Sequence, residues 1–307
     1  MMYVILIVGF VLLIKGADFF VDGSSAAAKL FKIPPLIIGL TVVSMGTSLP
    51  EASVSISASL AGKNELAVSN AVGSNIFNLM VVCGVCAAIC PLAINKDTLK
   101  RDFPISIAAA GLLMGLGALG ASVGHLEGVI LLAVFAGFLY LMVASAKKAR
   151  QEAEEEYKAM PVWKILVYVV AGAAAIVVGG KMVVSGASDI AKSFGMSENL
   201  IGMTIVAFGT SLPGLVTSVV AARKKEVDMA VGNVVGSNIF NILFVLGSAA
   251  AISPIVFSME NIIDSAVLIV MSALVMLMCF KKKELSRLHG WIMLALYAGY
   301  TAYIFIR

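Results

Sequence analysis

Glu51 follows Pro50 in the stretch GTSLPE (Gly46 to Glu51), inside a run of apolar and small residues. The stretch GTSLPG (Gly209 to Gly214) repeats the first five letters 163 residues later and puts glycine where the acid stood. Each stretch is followed by the same seven residues, VGSNIFN, at Val72 to Asn78 and again at Val235 to Asn241. These segments supply the hydroxyls of Thr47, Ser48, Ser74, Thr210, Ser211 and Ser237, the amides of Asn75, Asn78, Asn238 and Asn241, and one carboxylate. Carbonyl, hydroxyl, amide and carboxylate oxygens are the ligands that hard cations such as Na⁺ and Ca²⁺ take. Pro50 and Pro213 lack an N–H, so each removes the helical partner of the carbonyl four residues earlier, at Gly46 and Gly209. In hydrocarbon, freed carbonyls and an ionisable group persist only where protein or a water-filled cavity satisfies them. The pattern predicts a cation site shared by two copies of one motif. Glu51, Ser55 and Ser59 fall at four-residue steps on one helical face, which predicts a wetted path leading to it.

The elements that must hold these residues are membrane helices. Of the 307 residues 60% are hydrophobic and 13% charged, with a mean hydropathy of +1.01, far from the about half-apolar, quarter-charged balance of a soluble domain. Apolar stretches long enough to span a bilayer lie near 3–22, 35–60, 66–92, 104–122, 126–146, 162–185, 199–222, 228–255, 262–280 and 288–306. Ten helices are expected, with no cleavable leader ahead of the first. Lys and Arg collect on the cytoplasmic side of such chains. Alternate connections hold seventeen of them, from Lys29 to Arg287, against Lys63, Lys192 and Arg307 on the other side. This bias places both termini outside the cytoplasm and the charged stretch 147–161 inside it. The net charge of +4 is thereby a topology signal; no nucleic-acid surface is expected, and the partners are inorganic cations and the lipid bilayer.

The offset of 163 extends well past the motifs. Gly16 matches Gly179, Gly23 matches Gly186, Phe31 matches Phe194, Gly39 matches Gly202 and Pro91 matches Pro254. Two homologous copies of five helices each must insert with opposite orientation, the inverted-repeat design of many secondary transporters. The expected fold is an all-α polytopic membrane protein of ten transmembrane helices, organised as a first repeat (1–146), a cytoplasmic linker (147–161) and a second repeat (162–307).

The two motif pairs, GTSLPE and GTSLPG with VGSNIFN on the following helix, resemble the alpha-repeats of the calcium:cation antiporter superfamily, whose best-known members are the sodium/calcium exchangers. The resemblance covers essentially the whole chain and matches the prokaryotic type, in which the central loop is short. It implies a metal-ion pocket from Thr47, Ser48, Glu51, Ser74 and Asn78 of the first copy and Thr210, Ser211, Ser237 and Asn241 of the second. Backbone carbonyls near Ser44 and Ala207 complete it. It further implies exchange of Ca²⁺ against Na⁺, with K⁺ or H⁺ as counter-ions in some branches, by alternating access at the plasma (inner) membrane.

Gly214 departs from that pattern, which supplies a second Glu there, and Asn241 stands where some members carry Asp. One formal negative charge remains. Ca²⁺ at Glu51 alone leaves about one positive charge uncompensated in a low-dielectric cavity, a penalty of several kcal/mol, whereas Na⁺ is neutralised. Weakened divalent binding is expected, and a monovalent cation exchanger or a passive cation channel are the alternatives. Asp18, Asp22 and Asp264 are expected near helix ends. Cys83, Cys86 and Cys90 share a helical face without a fourth ligand and read as packing; His125 and His289 read as interfacial helix starts. With no phosphate-binding loop and no serine–histidine or paired-aspartate arrangement for intramembrane hydrolysis, neither an enzyme nor a cofactor is expected.

Overall fold

The computed structural model describes residues 2–62, 64–152, 160–196, 205 and 207–306, with backbone alone at 64, 65, 152 and 207. In chain order the helices are α1 (Met2–Phe31), α2 (Pro35–Thr47), α3 (Leu49–Leu60), α4 (Leu66–Ile89), α5 (Thr98–Gly120), α6 (His125–Glu152), α7 (Val162–Ser193), α8 (Ala207–Arg223), α9 (Val227–Ile252), α10 (Met259–Phe280) and α11 (Arg287–Ile306). Among the described residues, eight helices are long and apolar enough to cross a membrane. The pair α2 and α3 counts as a ninth if its 50° bend is taken within one span, and Leu212–Arg223 is a shorter apolar helix. The first turns expected of the seventh span, 199–206, lie largely outside the described residues. Several helices outrun their apolar stretches, α1 reaching Phe31 and α7 Ser193, because the backbone ladder continues past the last apolar residue.

Glycines bring the repeat-related helices α1 and α7 together. A Cβ added at Gly9 would stand 2.8 Å from the Val183 nitrogen, one at Gly16 2.9 Å from that of Ile176, and one at Gly23 3.0 Å from that of Val169. Partner numbers fall as α1 numbers rise, so the two helices cross antiparallel. Gly172 and Gly179 approach the Phe20 and Leu13 backbones in return. Close backbone approach through small residues is how helices pack where lipid gives no hydrophobic drive.

The same reciprocity recurs at the edges. Strand β1 (Leu92–Ala93) pairs antiparallel with β4 (Glu284–Leu285), and β2 (Ser122–Val123) with β3 (Ile255–Val256). At the offset of 163, β1 falls on β3 and β2 overlaps β4 at Leu285, so each copy's first strand pairs with the other copy's second. Left-handed residues that close the helix ends also match: Lys32 (φ 55°) with Gly195 (φ 82°), and Gly62 (φ 72°) with Lys225 (φ 65°). A helix ends readily on such a residue.

At the centre α4 and α9 carry the repeated VGSNIFN. In α9 every residue from Met229 to Phe240 is buried. Each helix widens into a π turn beginning at the last Asn of the motif, Asn78–Val82 in α4 and Asn241–Leu246 in α9, a deviation that often marks functional sites. On α3 the expectation of a wetted path is corrected. Ser55 and Ser59 are buried; the Ser55 hydroxyl accepts from Asn70 Nδ2 (2.9 Å) and Ser59 Oγ donates to the Ala249 carbonyl (2.7 Å). That face packs on protein because α4 and α9 lie across it.

Candidate functional site

The bend between α2 and α3 falls at Ser48, whose φ of −94° and ψ of 7° leave the helix between Thr47 and Leu49. Pro50 then sits in the first turn of α3, where its missing N–H costs nothing, and Glu51 follows. Glu51 is 2% exposed. Its Oε1 lies 3.2 Å from Ser211 Oγ of α8, and the same hydroxyl is 3.2 Å from Ser74 Oγ of α4. One residue of each motif in the first copy is thus joined to the second copy through Ser211. Glu51 Oε2 is buried and has no hydrogen-bond partner among the described residues. A buried carboxylate oxygen without a partner is costly, and a cation is the species that would satisfy it.

Other expected residues surround this contact. Asn78, 4% exposed, faces position 214: a Cβ built on Gly214 would stand 3.6 Å from Asn78 Oδ1, an ordinary contact with room for a side chain. Thr47 Oγ1 donates to Asn233 Oδ1 (2.8 Å), and Ser237 Oγ reaches the Ser44 carbonyl (3.5 Å), one of the two carbonyls expected at the site. Asn241 Nδ2 donates to Asn75 Oδ1 (3.1 Å), leaving Asn241 Oδ1 buried and unpartnered among the described residues. Ser48 is buried at the bend. Thr210 instead borders a separate cavity of about 570 Å³ between α3, α7 and α8, beside Pro50, Lys181 and Pro213. Ala207 opens α8, and its side chain lies outside the described residues.

One cavity reaches the two hydroxyls of the carboxylate contact. A cavity of about 210 Å³ runs from Tyr300 and Thr301 of α11, past Ser69, Asn70 and Gly73, to Ser74 and Ser211. Their repeat equivalents Gly232, Asn233, Gly236 and Ser237 are all buried. The charged residues outside the centre have other partners: Lys224, in the connection between α8 and α9, pairs with Asp22 (2.7 Å) and Asp18 (3.4 Å) of α1. His125 Nδ1 lies 2.9 Å from the Ala251 carbonyl and His289 caps the start of α11 through the Ser286 amide. Among the described residues no group of three or more His, Cys, Asp or Glu could hold a metal, so the cysteine face carries no such cluster.

Two residues that the motifs did not single out belong to this framework. Asn70 and Asn233 are related by the offset of 163 and stand one turn before Ser74 and Ser237. Their signal was the offset itself, just outside the identical seven-residue window. The amides of Asn75 and Asn238 cross between the copies, each Nδ2 donating to the other's carbonyl at 3.0 and 3.2 Å.

The profile of the family described as sodium/calcium exchanger protein matches residues 1–144 and 164–306. The chain belongs to the sodium/calcium exchanger family. CaxA of Alkalimonas amylolytica is 41% identical over 98% of each chain. The sodium/calcium exchanger MaX1 of Methanosarcina acetivorans is 30% identical over 99% of this chain and 98% of that one. The sodium-calcium exchanger NCX_Mj, solved after soaking with 10 mM Na⁺ and zero Ca²⁺, superposes with a TM-score of 0.88 at 32% identity, covering 98% of both chains. This family assignment and an all-helical fold shared with NCX_Mj agree with the likeness read from the two motif pairs.

Proposed function

We propose that this chain is a secondary-active antiporter that exchanges Ca²⁺ against Na⁺ by alternating access, with divalent binding weakened by Gly214. The observation that carries the reading is the Glu51–Ser211–Ser74 contact, a buried carboxylate with a spare oxygen held where the two copies meet. The ligand set is Thr47, Ser48, Glu51, Ser74 and Asn78 with Ser211, Ser237 and Asn241, the carbonyls of Ser44 and Ala207, position 214 facing the ion without a charge, and Thr210, which in this conformation borders the neighbouring cavity and joins the set on rearrangement of α8. K⁺ or H⁺ can replace Na⁺ as counter-ion in this scheme. Ten helices in two inverted fives, 1–146 and 162–307 around a cytoplasmic linker at 147–161, account for the antiparallel crossing of α1 and α7 and the reciprocal strand pairs.

With both termini outside the cytoplasm, as the Lys and Arg bias requires, the Ser69–Ser74 cavity faces outward and the conformation is outward-open. A monovalent cation exchanger is the second reading, favoured by the single carboxylate of the motif pairs. Flux in vesicles decides between them. Ca²⁺ efflux that saturates and requires external Na⁺ supports the first reading; Na⁺ exchange for K⁺ or H⁺ without Ca²⁺ movement supports the second. Conduction that needs no counter-ion overturns both in favour of a channel.

A further inference from the structure

We propose that Asn233, with its repeat partner Asn70, is a positioning residue of the ion site. The proposal rests on the exchanger reading above. Asn233 is buried in α9 and uses all of its amide. Nδ2 donates to the Gly214 carbonyl (3.3 Å) and to Ser218 Oγ (2.8 Å), both in α8, while Oδ1 accepts from Thr47 of α2 (2.8 Å). The side chain cannot turn over, since a flip would set Oδ1 against the Gly214 carbonyl. Asn70 repeats half of this pattern on α3, donating to the Glu51 carbonyl (3.3 Å) and to Ser55 Oγ (2.9 Å).

The consequence lies in the direction of the Thr47 hydroxyl. Its neighbours are the Val43 carbonyl (3.0 Å), the Ser44 carbonyl (3.3 Å) and Asn233 Oδ1, all acceptors. A hydroxyl carries one proton and two lone pairs. The proton is drawn toward these acceptors, and among the described residues no donor takes the lone pairs, which are left for a cation. One amide therefore fixes a hydroxyl ligand of the first copy and the backbone at position 214 of the second. Asn70 does the corresponding work for the backbone from which the Glu51 carboxylate hangs. Ligands from the two copies are held as one unit by residues that do not touch the ion.

The test is equilibrium Ca²⁺ titration with Na⁺ competition on the purified full chain, using Asn233→Ala, Asn70→Ala, Thr47→Val and the two double variants that include Thr47→Val. Each single variant should weaken ion binding by about tenfold. Thr47→Val should add less than about threefold on top of Asn233→Ala, because the hydroxyl has already lost its orientation, yet multiply fully with Asn70→Ala. A residue that only supports the fold would lower the melting temperature and leave the Thr47 and Asn233 losses multiplicative. Multiplicative losses, or an Asn233→Ala chain that binds within about twofold of the parent, overturn the proposal. Should Asn233→Ala fail to fold, half-buried Asn70→Ala decides: binding within about twofold of the parent overturns it. A parent chain with no saturable binding of either ion sinks the exchanger reading and takes this inference with it. Parent-like flux together with normal Asn variants sinks the inference alone.

Discussion

In the first copy the chain bends by 50° at Ser48 and follows Pro50 with an acid; in the second, a shorter apolar helix begins at Leu212, the repeat equivalent of Leu49, and Pro213 is followed by glycine. The five residues before the acid or the glycine are identical. What the copies share is the amide framework. Asn75 and Asn238 exchange bonds across the interface, and Asn70 and Asn233 each bind the carbonyl after Leu-Pro and a serine one turn on. What they do not share is charge and access. Ser69, Asn70 and Gly73 border an open cavity while Gly232, Asn233 and Gly236 are buried. A symmetric scaffold here carries an asymmetric charge and an asymmetric opening.

The largest effect that can break this comparison is loss of the acid. Glu51→Gln keeps the shape and one acceptor but removes the charge that offsets a bound cation, so counter-ion-dependent flux should fall by at least about a hundredfold with helical content unchanged. Near-parental flux would move the site away from the first copy's motif. Transposing the acid sharpens the point. In Glu51→Gly with Gly214→Glu, the shared amide framework should restore Ca²⁺ binding to within about tenfold of the parent, whereas Glu51→Gly alone should not bind. A transposed chain as inert as the single variant means the copies are not interchangeable as ligand donors.

Access is checked by labelling, in a chain whose native cysteines are replaced. Cysteine at Ser69 should react with an impermeant thiol reagent added to intact cells, and cysteine at buried Ala230 or at position 154 of the linker should not. Reaction at 154 from outside reverses the orientation of the whole chain. The smallest effect concerns Ser59, whose repeat equivalent is Ala222. Because Ser59 spends its hydroxyl on the Ala249 carbonyl, Ser59→Ala should cost about 1 kcal/mol of stability and leave flux within about twofold. A larger loss of flux with unchanged stability would restore the wetted path.

The repeat, the two motifs and the burial of Glu51 between the copies were legible because a buried acid and duplicated oxygen side chains have few physical uses in a membrane. Ser55 and Ser59 were misread for a definite reason: helical spacing says which side chains share a face, not which helix packs on it. The bend at Ser48 and the π turns that begin at Asn78 and Asn241 leave no mark in hydrophobic spacing, which reports a helical face and not a local widening or bend of the helix. Asn70 and Asn233 were legible at the offset of 163, but their roles appear only when Thr47 of the opposite copy is brought beside Asn233.

The central claim is that the acid after Leu-Pro sets the charge balance of a site built by both copies. Restoring the second acid tests it most directly. Among the described residues a Cβ at Gly214 makes only an ordinary contact, 3.6 Å from Asn78 Oδ1, so a side chain can start there without a clash. Titrating Ca²⁺ into the parent and Gly214→Glu chains in the same detergent, with Na⁺ competition alongside, should show the variant binding Ca²⁺ at least about tenfold more tightly, a gain of about 1.4 kcal/mol. Unchanged or weaker Ca²⁺ binding in Gly214→Glu would contradict the charge-balance account and make position 214 a packing residue that never faces the ion.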